Sequence, residues 1–284
     1  MLVLKTKYQK LSCVAFAPDG RGLAAAGDRG TYWWSNVFEN PKAVRLRDEW
    51  CGGAGFTTDG AVLISFQEGV GVCATDLANR SHKVAPVAGA LRPTIVVCSA
   101  TGFAVLDSTY RGELSGWHIG PDGAPVHVWT RNAGLGSSGS FAPDGSLFVR
   151  SARTGERWQG YRLLLHDPAT GAVVGSCEGS DLVTCGPAVS PDKEWLAFSD
   201  QNLFIAQSVT DPSRRASVRN DNTHQFTEFV FHPSGRFLAA TNNDSTVKLY
   251  DTTAWEITRT FTWDIGRMRC VAFSPDGTRR CGER

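Results

Sequence analysis

The sequence predicts an all-β protein: a seven-bladed β-propeller of four-stranded antiparallel blades, the last blade incomplete. Three observations point there. A short apolar phrase closed by Pro-Asp-Gly or a near variant recurs along the 284 residues. Its copies stand at nearly constant spacing, and most are followed by two further strand-like segments. No stretch longer than about ten residues shows the clean 3.6-residue period of an amphipathic helix.

The phrase is apolar run, turn, apolar run. It reads CVAFAPDGRGLAAAG at 13–27, GFTTDGAVLISF at 55–66, SFAPDGSLFVRS at 140–151, PAVSPDKEWLAFS at 187–199, FVFHPSGRFLAAT at 229–241 and CVAFSPDG at 270–277. A weaker copy, TIVVCSATGFAVLDS at 94–108, fills the wide gap. Equivalent turn positions are Asp19, Asp59, Thr101, Asp144, Asp192, Ser234 and Asp276, separated by 40, 42, 43, 48, 42 and 42 residues. A fixed period of this size is the mark of a repeat architecture.

Each copy predicts a β-hairpin. Pro presets φ for the second position of a type I turn, Asp bonds its own backbone, and Gly accepts positive φ on the way out. Lys193 stands where Gly would in the fifth unit, so that turn is expected to be strained. The first strand is apolar on both faces, Val14 and Phe16 on one and Cys13 and Ala15 on the other, as in a sheet sandwiched between neighbours.

Third strands are predicted at 31–35, 70–76, 113–119, 161–167, 202–208 and 246–251. Fourth strands follow at 43–46, 83–87, 126–129, 173–177, 216–218 and 257–261. Four strands every 40–45 residues or so describe a propeller blade.

The sixth unit, FVFHPSGRFLAATNNDSTVKLYDTTAWEITRTF at 229–261, resembles a WD40 repeat. Tyr250-Asp251 stands where that family ends its third strand in Trp-Asp. Acidic residues before the third strand, Asp28, Glu68, Asp200 and Asp244, are similar to the family's loop acid. The Gly-His pair that usually precedes the first strand is absent from every unit, which weakens the network expected to tie His to that acid. The resemblance implies a ring whose last blade borrows an outer strand from the N-terminus. Residues 2–8, LVLKTKY, are therefore predicted to join the last blade of one domain spanning 1–284. Only TRRCGER follows Gly277, so that blade is expected to lack its third strand, in a shortened repeat protein or a fragment.

Composition narrows function. Hydrophobic residues are 42%, charged residues 20%, and the net charge is +1, so no bulk field favours nucleic acid or an anionic membrane. The longest apolar runs, such as 94–98 and 72–77, fall far short of the ~18 residues of a membrane span. Lys5 interrupts the N-terminal apolar residues before the roughly 7–15 that a secretory signal needs, and a cytoplasmic location is expected. The eight cysteines contain no CxxC and read as reduced, apolar residues.

No motif implies a cofactor or metal. GLGSSG at 134–139 matches a dinucleotide pattern but opens a strand rather than a helix. The histidines His82, His118, His127, His166, His224 and His232 are scattered, and the repeated Asp residues read as turn formers.

The largest break in the repeat is the step of 48, placed in SARTGERWQGYR at 151–162. Arg153, Arg157, Trp158, Tyr161 and Arg162 in that insertion are of the types enriched in interface hot spots. They are the candidate partner-binding residues. Trp50 with Asp48 and Glu49, Tyr110 with Arg111, and Trp263 with Arg267 and Arg269 extend the candidate face. The expected function is non-enzymatic: a scaffold presenting loops to a protein or peptide. The alternatives are a propeller enzyme with a central-channel site and a degenerate, truncated repeat protein with no retained activity. The inner strands read as Cys, Val, Ala and Phe, which does not favour the enzyme.

Overall fold

The computed structural model describes residues 10–40, 42–87, 95–98, 103–108, 112–134, 136–153, 160–179, 183–200, 202–221, 225–262, 268–278 and 280–283. They form β-sheets throughout. Blade one is β1 (Leu11–Phe16), β2 (Leu23–Gly27), β3 (Gly30–Trp34) and β4 (Val44–Arg47). Blade two is β5 (Cys51–Phe56), β6 (Val62–Gln67), β7 (Gly71–Asp76) and β8 (His82–Pro86). Blade three is β9 (Ile95–Cys98), β10 (Phe103–Ser108), β11 (Glu113–Ile119) and β12 (Pro125–Asn132).

Blade four is β13 (Gly136–Phe141), β14 (Phe148–Arg153), β15 (Tyr161–His166) and β16 (Val173–Glu178). Blade five is β17 (Val183–Val189), β18 (Trp195–Asp200), β19 (Leu203–Ser208) and β20 (Arg215–Arg219). Blade six is β21 (Phe226–Phe231), β22 (Phe237–Asn242), β23 (Thr246–Asp251) and β24 (Glu256–Thr262). The remaining strands, β25 (Cys270–Phe273) and β26 (Arg280–Glu283), pair only with each other among the described residues.

The chain is thus a β-propeller of four-stranded antiparallel blades in simple sequential order. Seven blades were expected, and among the described residues six four-stranded blades are present. The residues after Arg269 supply one hairpin, which makes a two-stranded sheet. The first strands of successive sheets lie side by side around a closed cycle, with β25 between β21 and β1. The segment 2–8, predicted to join that last sheet, lies outside the described residues.

The hairpins turn as their composition dictates. Asp19, Asp59, Asp144, Asp192 and Asp276 each accept a backbone N–H from two residues on. Lys193 has φ 62°, the left-handed conformation expected from its place in the turn. Sandwiching is also as expected. Val14 and Phe16 pack toward Cys270, while Cys13 and Ala15 pack toward Ala54 and Phe56 of blade two. Burial is deepest on second and third strands: Leu196, Phe198, Phe204 and Leu238 are fully enclosed. Each such side chain contributes roughly 1.5–3 kcal/mol.

Two recurrent irregularities are invisible in the hairpin phrase. First strands carry a β-bulge near their start, between Leu11 and Cys13, Gly136 and Ser138, Val183 and Cys185, and Phe226 and Glu228. The extra residue is Ser12, Ser137, Thr184 or Thr227. Outer ladders bulge in blades one, three, four and six. A bulge resets which face later residues take. The GLGSSG stretch is mostly strand: β13 begins at Gly136, and no helix follows.

Candidate partner-binding face

The Pro-Asp-Gly turns occupy one end of the ring. The opposite end carries the connections between second and third strands and those between blades, and the described candidates Asp48, Glu49, Arg153, Tyr161, Arg162 and Arg269 stand at it. The enlarged connection is shorter than the sequence suggested. Ser151–Arg153 finish β14, and Tyr161 and Arg162 begin β15. Arg153 and Tyr161 are directly paired across the ladder. The Arg153 guanidinium carbon lies 5.9 Å from the Tyr161 ring centre, a cation–π contact. Arg162 is exposed opposite Glu178. Arg157 and Trp158 lie outside the described residues.

The other candidates divide. Trp50 is part-buried and packs against Ile64, Phe66 and Trp117, so it belongs to the body of the ring. Asp48 pairs with Arg45 at 2.8 Å, and Glu49 stands 3.9 Å from Arg47, both at the surface. Such exposed pairs contribute little to stability. Arg269 is exposed at the entry to β25. Tyr110, Arg111, Trp263 and Arg267 lie outside the described residues.

Beneath this face two buried cations hold the connections, and sequence reasoning missed both. Lys248 on β23 is 1% exposed. Its ammonium donates to Asn220 Oδ1 at 2.5 Å and to the Asp221 carboxylate, in the connection between blades five and six. Asn220 in turn donates to Asn242 Oδ1 at 2.9 Å. Arg150 on β14 is fully buried and donates to the Ala133 carbonyl, in the connection between blades three and four. A Lys or Arg within a strand reads locally as solvent-facing, so only the fold brings these contacts together.

In blade six the tyrosine of Tyr250-Asp251 is fully buried and packs 5.2 Å from Phe204. Its hydroxyl has no hydrogen-bond partner among the described residues. Burial first, then the Asp221 charge, pushes its pKa upward. Asp244 accepts the Thr246 N–H at 3.0 Å and shapes the turn into β23.

The channel wall corrects one further expectation. The inner strands are Cys-, Val-, Ala- and Phe-rich, but β21 places the carboxyl of Glu228 there, where it accepts the Val271 N–H at 2.5 Å. Burial pushes this carboxyl up to about 8, against the lowering effect of that hydrogen bond. Among the described residues, no three His, Cys, Asp or Glu side chains are placed to hold a metal ion. No described helix is long and apolar enough to cross a membrane.

No curated protein matches the chain. Residues 2–35 and 217–251 match the family of the WD domain, G-beta repeat, known as WD40. The second match runs through β21, β22 and β23, the stretch that carries Asp244, Lys248, Tyr250 and Asp251. With those two matches and blades of four antiparallel strands in sequential order, the chain is a β-propeller similar to the WD40-repeat family.

Proposed function

We propose that the chain is a non-enzymatic interaction module, one propeller domain over 1–284 whose connection face binds a protein or peptide. The observation that carries this reading is the rung formed by Arg153 and Tyr161. It holds a cation and an aromatic ring together, on rigid strands, at the mouth of the enlarged connection. Rigid strands with variable connections suit recognition, although a fold alone does not fix function. Arg157 and Trp158 lie between them in sequence. Trp158 supplies apolar area, while Arg153, Arg157 and Arg162 engage carboxylates or carbonyls of the partner.

Residues 2–8 add to the sheet of β25 and β26, making that sheet the seventh blade. Cys13, Cys51, Cys73, Cys177 and Cys185 are thiols, which fits a reducing, cytoplasmic setting. The channel-enzyme reading is less favoured, because Glu228 is the one ionisable acid, base or guanidinium on the described inner strands. A paired general acid and base finds no second partner on those described strands.

The test is the variant carrying Arg157→Ala and Trp158→Ala, compared with wild type for partners captured from native extract. Loss of a partner with an unchanged thermal midpoint is expected, corresponding to about 2–4 kcal/mol of binding. A variant that keeps every partner places the site elsewhere. One that melts several degrees lower places Trp158 in the core.

A further inference from the structure

The inner strands commit their small polar side chains to the next sheet. Ser12 Oγ donates to the Cys51 carbonyl at 3.1 Å, Cys13 Sγ to the Ala54 carbonyl at 3.5 Å, and Ser140 Oγ to the Pro187 carbonyl at 2.6 Å. Ser217, on the outer strand β20, is placed otherwise. It is exposed, and its hydroxyl is in no hydrogen bond among the described residues.

β20 is the edge of blade five. It ladders to β19, and among the described residues no strand pairs with its other side. Ala216 and Val218 are half-buried and pack against the cluster of Phe204 and Trp255, whereas Arg215, Ser217 and Arg219 are all exposed. Alternate residues of a strand share a face, so these three stand in one row, each about 7 Å from the next. A slip of one residue would turn both arginines inward, which fixes the row.

The chain at this edge reads Arg214-Arg215-Ala216-Ser217-Val218. No other Ser or Thr of the sequence has arginine both two and three residues before it, because the second Arg-Arg pair, 279–280, is followed by Cys281 and Gly282. Arg214 lies 4.9 Å from the Trp195 ring centre and 3.8 Å from the Glu194 carboxylate, an ion pair exposed on both sides. Arg215 reaches Gln207 Oε1 and Arg219 reaches Asn202 Oδ1, each at 3.4 Å. Contacts so long or so exposed yield readily to a phosphate or to a well-placed carboxylate. Kinases that select basic substrates read a charge pattern, setting acidic pockets against arginines upstream of an extended acceptor. An edge strand is extended already and offers one free row of backbone groups.

We propose that Ser217 is a phosphorylation site for a basophilic serine/threonine kinase, and that Arg215 and Arg219 clamp the phosphate once it is in place. The co-substrate is ATP. The bond from Ser217 Oγ to the γ-phosphorus forms as the bond to the β,γ-bridging oxygen breaks, ADP leaves, and the hydroxyl proton passes to the kinase's catalytic aspartate. The product has a charge of about −1.5 to −2 and three acceptor oxygens, set between two guanidiniums that already flank it. It cancels half or more of the positive charge that Arg214, Arg215 and Arg219 give this edge. Their roles separate along the chain. Arg214 and Arg215 precede the acceptor and face the kinase, while Arg219 follows it and meets only the product.

The test incubates the folded full chain with ATP and the catalytic subunit of the cyclic-AMP-dependent protein kinase, and maps phosphopeptides by mass spectrometry. Phosphate is expected on Ser217 and should vanish in Ser217→Ala. Arg214→Ala together with Arg215→Ala should lower the kcat/KM of transfer at least about tenfold, the loss of a charged hydrogen bond. In Arg219→Ala the phosphate's second pKa, followed by phosphorus NMR, should rise by a few tenths of a pH unit, and Arg219→Lys should restore most of it. The chain isolated from its native cells with phosphatases inhibited should carry the same phosphopeptide. Transfer to other residues alone, transfer to Ser217 only after the chain is unfolded, or a native chain without phosphate at Ser217 overturns the proposal. An unmoved pKa in Arg219→Ala overturns the clamp.

Discussion

Trp129 donates its indole N–H to the carbonyl of Pro168, 2.7 Å away across the boundary between blades three and four. The ring also lies against Gly171, whose φ is +69°, and a β-carbon there would come within 2.6 Å of it. A turn of blade four is thus moulded to an outer-strand residue of blade three. Two independent penalties oppose any side chain at 171: the left-handed backbone and the lost space.

Gly171→Ala is therefore expected to destabilise the protein by about 1–3 kcal/mol. Trp129→Ala should be worse, by about 3–5 kcal/mol. Urea unfolding of the two variants checks the order, and a Gly171→Ala variant as stable as wild type contradicts it.

Tyr250→Phe removes a buried hydroxyl that has no described partner while keeping the packing on Phe204. Leaving such a group unsatisfied costs about 1–3 kcal/mol, so the variant should equal or exceed wild-type stability by up to about 1 kcal/mol. A drop in thermal midpoint would reveal a bonded hydroxyl.

Lys248→Met should go the other way. The apolar replacement fills similar space but leaves Asn220 Oδ1 without the ammonium, at an expected loss of about 1–3 kcal/mol. Faster hydrogen exchange at residues 220–221 should accompany it, since Lys248 is their anchor. Unchanged exchange there would show that the connection holds itself.

Lys193 ties the hairpin of blade five to that of blade four through Asp144, 2.9 Å from its ammonium. That hydrogen bond, then the Ser146 hydroxyl, lowers the Asp144 carboxyl to about 2. A depressed value means the contribution is present above the ordinary carboxylate range and lost as pH falls through the folded-state value. Both side chains are about half exposed, so the effect is small. Lys193→Met should raise the Asp144 value measured by NMR titration and flatten the acid limb of the stability curve. An unmoved titration would sever the pair.

Much of the fold is legible in the sequence because the repeat is local chemistry. The segments 113–119 and 246–251 coincide with β11 and β23, and the other predicted third strands fall within a residue of the observed ones. Hairpin turns are equally local, since Pro, Asp and Gly act on their own backbone. What escapes notice depends on register and on distant partners. In FTEFVF a strict alternation puts Phe226 and Glu228 on the same face, but the bulge at Thr227 breaks that alternation, and Glu228 reaches the channel. Lys248 looks like an exposed strand lysine until Asn220 and Asp221, nearly thirty residues earlier, close over it. Of the candidate site, the enlarged connection was visible as an irregular period. Its rung was not, because Arg153 lies in the stretch read as an insertion and nothing local sets it opposite Tyr161, the first residue of the predicted third strand.

The reach of Ser12, Cys13, Ser140 and Glu228 into the following sheet has an evolutionary consequence. The inner strands β1, β13 and β21 each carry half of a lock whose other half is the backbone next door. Every residue has a carbonyl, and every residue but proline an N–H, so each of these locks fits any successor strand that lies at the same height, and duplicated blades can be inserted behind them freely. Behind Glu228 the one requirement on a grafted blade is that proline not stand where Val271 now does.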